Sequence, residues 1–151
     1  MKGFLGSLFA IIQSMHTNFH HVAISVRNLA NSQTFYEKLG FREVHHYEAP
    51  DNSLSIVHLK LDEVVLEIFA YAQNANVSPL EMDEANDLPQ IGVKHIGLHV
   101  ADVNGSYEEM QEAGYKIASP AVKHGRTQID YFFIKDPDGM WVEIVQDDRG
   151  Y

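Results

Sequence analysis

The fold is decided by HHVAISVRNLANSQTFYEKLGF, residues 20–41, and by its second copy, KHIGLHVADVNGSYEEMQEAGY, residues 94–115. In each copy an alternating apolar run, typical of a strand, leads into a helical pattern that ends at a glycine, Gly40 or Gly114. The two glycines are 74 residues apart, and so are His21 and His95. The chain therefore contains a duplicated strand–helix unit.

Three more strands are predicted after each helix, so the unit is β-α-β-β-β and occurs twice. The short connection at residues 61–63 predicts a hairpin, and Asp136-Pro137-Asp138-Gly139 predicts a tight turn. The first module spans residues 18–71, the second spans 93–151, and a polar, acidic linker with two prolines occupies 72–92. The predicted elements are strands 21–26, 41–47, 54–61 and 64–71 with helix 29–39, then strands 94–100, 115–118, 129–135 and 140–146 with helix 103–113.

The period of two along a strand assigns its side chains to two faces. In the first strand Val22 and Ile24 form the helix-covered face and leave His21 on the other face. In the strand at 64–71, Leu66 and Ile68 form the helix-covered face and leave Glu67 on the other. The second copy gives the same result for His95 and Glu143. We therefore predict an α+β fold in which a curved mixed sheet gathers this inner face into a cup, with the helices on the outer face.

Two imidazoles and two carboxylates on one face point to a metal site. A carboxylate among apolar neighbours must be paired, protonated or bound to a cation. A single strand histidine is more often a hydrogen-bonded core residue than a ligand, but these residues occur as two equivalent pairs. Nitrogen and oxygen ligands without sulfur favour one divalent ion of zinc, nickel, iron, manganese or cobalt. The predicted ligands are His21, Glu67, His95 and Glu143, and Glu67 or Glu143 is the predicted catalytic base.

Further residues are predicted to contact the substrate. His99, Tyr131, Phe133 and Trp141 share the inner face of the second module, and packing alone is the competing interpretation for each. Arg126, in a glycine-containing loop, is a candidate for holding an anionic group of the substrate, against the alternative of a solvated loop.

Composition limits the partners. Acidic residues outnumber basic ones by 21 to 11, which gives a formal net charge of −10. Such a surface repels nucleic acids and anionic membranes, so neither is an expected partner. The absence of cysteine rules out disulfides and thiolate chemistry and fits a cytoplasmic location.

The N-terminal extension, residues 1–17, carries apolar residues at helical spacing. It is too short to span a bilayer. We favour a helix that packs on the domain or on a partner subunit, over an added extension before Met15 or a weak secretion signal.

The chain resembles the vicinal oxygen chelate superfamily, the group of glyoxalases, bleomycin-resistance proteins and dioxygenases. Residues 20–41 resemble its opening motif, and IKDPDGMWVEIVQ, residues 134–146, its closing one. The resemblance implies two β-α-β-β-β modules that form a metal cup, and it assigns the ligand roles to the same four residues. That set is similar to glyoxalase I. Glyoxalase I typically carries Arg and Asn at two positions that are Ser25 and Tyr71 in this chain. This difference argues against glutathione as the thiol carried by the substrate.

The leading hypothesis is a metal-dependent lyase or isomerase of the glyoxalase kind, a homodimer acting on a small substrate with vicinal oxygens. A non-haem iron dioxygenase is the first alternative, although the fourth ligand argues against it. A non-enzymatic drug- or ligand-binding module is the second. The linker at 72–92 allows the cup to form within one chain or between two.

Overall fold

The computed structural model describes residues 18–73 and 84–150 as two modules of the predicted kind. The predicted helix within residues 1–17 lies outside these ranges, as does most of the linker. Among the described helices, none has the length and apolar character needed to cross a membrane. The elements are β1 (His21–Ser25), α1 (Leu29–Lys38), β2 (Arg42–Glu48), β3 (Leu54–Leu61), β4 (Val64–Tyr71), α2 (Glu84–Asp87), β5 (His95–His99), α3 (Val103–Glu112), β6 (Lys123–His124), β7 (Asp130–Lys135) and β8 (Trp141–Gln146).

Each module contains one four-stranded mixed sheet. The strand order is β1-β4-β3-β2 in the first sheet and β5-β8-β7-β6 in the second. The first strand of each module runs parallel to the last, and the remaining neighbours are antiparallel. The first and last strands of a module are therefore adjacent, which places the histidine of one beside the glutamate of the other.

The hydrophobic core lies between the sheets and the two long helices. Leu66 and Ile68 of β4 are buried there, as are Val142 and Ile144 of β8. These are the residues that the alternation pattern assigned to the helix-covered face. The α+β class and the inner and outer faces are thereby confirmed.

Local sequence sets both ends of the long helices. The side chain of Asn28 accepts a hydrogen bond from the amide of Asn31, and Asp102 caps α3 in the same way through Gly105. Gly40 and Gly114 follow the helices with φ of 99° and 78°, a left-handed conformation that favours glycine.

One predicted strand is wrong. Residues 115–118 form only an isolated bridge between Ile117 and Ile134, and the edge strand is β6 instead. The amide of Tyr115 bonds to the carbonyl of Met110 as part of the helix end, so it is not available for a ladder. A short helix, α2, also lies within the segment that was predicted to be linker.

The two modules are joined by a buried hydrogen bond. The Tyr36 hydroxyl of α1 donates to Asp136 Oδ2 across 3.1 Å, and both residues are buried. At the rim of this junction, Arg27 pairs with Asp138 at 3.4 Å, and the rings of Phe35 and Tyr115 meet edge to face. The contact fixes α1 of the first module against the turn after β7.

Burial raises the pKa of the Asp136 carboxyl, although Tyr36 and the amides of Asp138 and Met140 donate hydrogen bonds to it. Burial, followed by the charge of Asp136, raises the pKa of Tyr36, so the phenol stays protonated and can donate. The pKa of Asp136 is higher in the folded state than in the unfolded state. The contribution of Asp136 to the free energy of unfolding is therefore complete when the pH lies below its pKa in the unfolded state. That contribution is lost as the pH rises through the folded value.

Tyr36→Phe is expected to lower the free energy of unfolding by about 1–3 kcal/mol. The substitution keeps the ring and removes the hydroxyl, which leaves Asp136 Oδ2 buried without its donor. Urea denaturation at neutral pH measures the change.

Asp136→Asn is the matched control. Asp136 Oδ1 accepts from both turn amides, and among the described residues the donor to Oδ2 is Tyr36. An asparagine can keep the first two bonds and donate to the phenol oxygen, so it should cost less than Tyr36→Phe and remove the pH dependence in the acidic range. Equal losses in both variants would contradict this account of the junction.

Candidate metal centre

The first module brings His21 and Glu67 together on its inner face. Ala23 of β1 is the cross-strand partner of Glu67, and its small side chain leaves room for the carboxylate. The imidazole Nε2 of His21 lies 3.5 Å from Glu67 Oε2. The His21 side chain is 44% exposed and that of Glu67 is 20% exposed, so the pair is open to solvent.

The second module repeats this arrangement. The imidazole Nε2 of His95 lies 3.2 Å from Glu143 Oε2. Gly97 takes the place of Ala23 as the partner of the carboxylate, and a Cβ atom there would lie 3.4 Å from Glu143 Oε2. The edge of the His95 ring packs against Phe133, which gives this pair a more apolar setting than the first.

The separations within the pairs suit ligands of one ion. Two donors at about 2.1 Å from a metal lie about 3.0 Å apart at an octahedral angle and about 3.4 Å apart at a tetrahedral one. The observed separations are 3.5 Å in the first module and 3.2 Å in the second. Each pair also offers one nitrogen and one oxygen donor, so the residues present fit half of the coordination of a divalent ion.

The two pairs stay apart within the described part of one chain. Across residues 18–73 and 84–150, no group of three or more His, Asp or Glu side chains has the arrangement needed to hold a metal ion. Each histidine contacts the glutamate of its own module. The described part of a single chain thus supplies two candidate half-sites, one in each module.

A cavity of ≈ 530 Å³ lies beside the second pair. Three residues predicted to contact substrate line it, namely Arg126, Tyr131 and Phe133, together with His95 and Glu143. The cavity therefore combines two candidate ligands, an aromatic wall and a cation. Its remaining lining residues are Leu88, Gly125, Thr127 and Ile129.

Two other predicted site residues lie elsewhere. His99, at the end of β5, is exposed and does not line the cavity. Trp141 is buried, with Phe133 packed against its edge and the Lys135 ammonium 3.3 Å from its ring centroid. It contacts the aromatic wall through Phe133.

A larger cleft of ≈ 820 Å³ lies between the modules. It is lined by basic side chains that include Lys38 and Lys116, and by the turn at Asp136. None of the four predicted ligands lines this cleft.

Sequence reasoning gave no site role to two histidines that lie beside the first pair. His58 Nε2 lies 2.9 Å from Glu67 Oε1, and His20 Nδ1 lies 2.9 Å from His21 Nδ1. The signal for His58 was present, because a two-residue turn pairs residues that lie equally far from it. His58 lies four residues before Asp62, and Glu67 lies four after Glu63.

The comparisons with known proteins define the class. Residues 18–144 match the Glyoxalase/Bleomycin resistance protein/Dioxygenase superfamily, and the chain belongs to this family. A lactoylglutathione lyase of Neisseria meningitidis is 26% identical over 137 residues, which cover 86% of this chain and 91% of that one. A lactoylglutathione lyase of Schizosaccharomyces pombe is 24% identical; the match covers 85% of this chain but only 44% of that longer protein.

Solved structures show the same fold. A glyoxalase family protein from Enterococcus faecalis superposes with a TM-score of 0.69 at 27% identity, over 85% of this chain and 97% of the other. Glyoxalase I from Zea mays, in a V278E mutant, gives a TM-score of 0.74 at 17% identity and covers 94% of this chain and 49% of that one. The second likeness is of fold alone.

Proposed function

We propose that this protein is a metal-dependent lyase or isomerase of the glyoxalase kind, acting on a small substrate with vicinal oxygens. The observation that carries the proposal is the duplicated imidazole–carboxylate pair, His21 with Glu67 and His95 with Glu143, at 3.5 and 3.2 Å. The lactoylglutathione lyase of Neisseria meningitidis, matched over most of both chains, supports the same class.

These four residues would hold one divalent ion of zinc, nickel, iron, manganese or cobalt. When bound, such an ion supplies Lewis acidity that stabilises negative charge on the adjacent oxygens of the substrate. Glu67 or Glu143 would take a proton from the hydroxyl-bearing carbon of the substrate and return it to the neighbouring carbonyl carbon, while the hydroxyl proton passes to the oxygen of that carbonyl. The net change is an isomerisation, which needs no external oxidant or reductant.

The proposed site would take its ligands from two copies of the chain. The two pairs do not converge within the described part of one chain, and His21, on the ligand face of the first sheet, is 44% exposed. The strand register puts Tyr47 and Tyr71, 45% and 47% exposed, on the same face as His21. We propose that a homodimer joins the first pair of one subunit to the second pair of the other, which completes four ligands at each of two sites.

The cavity of the second module determines which substrates fit. Tyr131 and Phe133 offer an apolar wall, and Arg126 offers a cation at the edge. A substrate with a short apolar part and one anionic group matches these features. We propose that the substrate is a thiol adduct. Because Ser25 and Tyr71 replace the residues typical of glutathione users, we propose that its thiol is not glutathione.

Arg126→Leu is expected to raise KM by about 10–100-fold and to leave kcat nearly unchanged. A charged hydrogen bond to substrate is worth about 1.5–3 kcal/mol, and its loss affects ground state and transition state alike. Steady-state kinetics with an anionic substrate measures the effect. Lys116→Leu is the control, because it removes a basic side chain that lines the larger cleft and not the cavity of the second module. An unchanged KM for Arg126→Leu would contradict the proposed contact between Arg126 and the substrate.

The function is tested by metal analysis of the purified protein and by an isomerisation assay with hemithioacetals of several thiols. We expect one ion per chain and turnover with at least one adduct. A metal-loaded protein that turns over none of them would exclude the lyase and leave the metal site intact. A protein that binds no divalent ion would exclude both.

A further inference from the structure

The two oxygens of Glu67 have different surroundings. His58 of β3 is the cross-strand neighbour of Glu67, and its Nε2 lies 2.9 Å from Oε1. Oε2 lies on the other side, towards His21. An ionised carboxylate only accepts hydrogen bonds, so the Nε2 of His58 carries the proton and donates it. One oxygen of Glu67 is thus occupied by a protein donor, while the other faces the proposed ion.

The second module lacks this arrangement. Phe133 is the cross-strand neighbour of Glu143. It occupies the position in the second module that His58 occupies opposite Glu67 in the first. Within the part of the chain that the structure describes, the polar partner of Glu143 is His95. The duplication therefore retained the ligands in both modules but gave only Glu67 an anchoring imidazole.

We propose that His58 is a positioning residue that holds Glu67 through Oε1 and thereby presents Oε2 to the ion. The inference rests on the proposed function, because it concerns a ligand of the proposed site. A free glutamate must give up side-chain motion when it binds an ion, and an anchored one has lost that motion already. Hydrogen-bond partners of ligating carboxylates commonly change metal affinity by about 10–100-fold.

The test compares the affinity for Zn²⁺ and Co²⁺ of the wild-type chain, His58→Phe and His58→Gln by competition with a chelating dye. His58→Phe copies the residue of the second module, so the sheet can accommodate it. We expect it to weaken binding by about 10–100-fold. The glutamine amide can donate to Oε1, so His58→Gln should recover most of the affinity. If His58 only filled space in the sheet, the metal affinity would not fall in the order wild type, His58→Gln, His58→Phe.

His46→Phe is the matched control. His46 also lies beside a carboxylate, with Nε2 2.7 Å from Glu48 Oε1, but on β2 and away from the half-site. The His46→Phe variant should bind both ions with the affinity of the wild-type chain. Circular dichroism confirms that all three variants fold.

The visible absorption of the Co²⁺-loaded protein provides a second measurement, because it reports the ligand geometry directly. We expect His58→Phe to change this spectrum and His58→Gln to keep it. If the wild-type chain binds the ions and His58→Phe binds them equally tightly with the same spectrum, the inference is wrong and the proposed function survives. If the wild-type chain binds neither ion, both are wrong.

Discussion

Mixing the Glu67→Gln protein with the Glu143→Gln protein is expected to restore about one quarter of wild-type activity, although neither variant is active alone. Each substitution removes a ligand and a candidate base, which lowers the rate by about 10²–10⁴-fold. In a dimer whose sites combine the first module of one chain with the second module of the other, a mixed dimer has one doubly substituted site and one intact site.

The fraction follows from subunit exchange. Random exchange makes half of the dimers mixed, and one of the two sites in each mixed dimer is intact. The experiment needs a brief unfolding and refolding of the mixture, followed by the isomerisation assay. Glu67→Gln refolded alone and Glu67→Gln mixed with His21→Ala are the controls, since both of those substitutions lie in the first module and cannot complement each other.

An inactive mixture would contradict the two-chain site if size-exclusion chromatography and mass spectrometry show that mixed dimers have formed. A cup built within one chain gives that result, because every chain in the mixture then carries a defective site. The comparison therefore separates the two arrangements that residues 72–92 allow.

Removing the metal ion is expected to abolish activity and to lower the temperature of unfolding. An ion present at 100 times its Kd stabilises the folded protein by about 2.7 kcal/mol. For a chain of this size that corresponds to a shift of about 5–10 °C. Calorimetry of the protein before and after treatment with a chelator measures the shift, and the assay measures the loss of turnover.

Restoring the ion tests whether the effect is specific. Zinc, nickel or cobalt should recover both stability and activity, and calcium should not, because it prefers oxygen ligands. In the double variant His21→Ala/His95→Ala, the chelator should not lower the temperature of unfolding and added metal should not raise it. If the chelator removes bound metal but changes neither quantity, the ion has no part in the proposed site.

Much of the fold follows from local sequence. The bounds of β3 and β4 agree with prediction, because strong alternation and a two-residue turn fix both the strands and their register. The edge strand of the second module could not be found in this way. Lys123 and His124 carry no apolar alternation, and they form β6 only because Tyr131 and Asp130 offer hydrogen-bond partners.

Strand alternation alone assigns His21, Glu67, His95 and Glu143 to one face of the sheet, because successive side chains of a strand point to opposite faces whatever the strand packs against. Which of these residues meet depends on the packing of the whole chain. The modules are joined through Tyr36 and Asp136, and each histidine reaches the glutamate of its own module and not that of the other. Such distances depend on contacts between residues far apart in the chain, and no local period specifies those contacts.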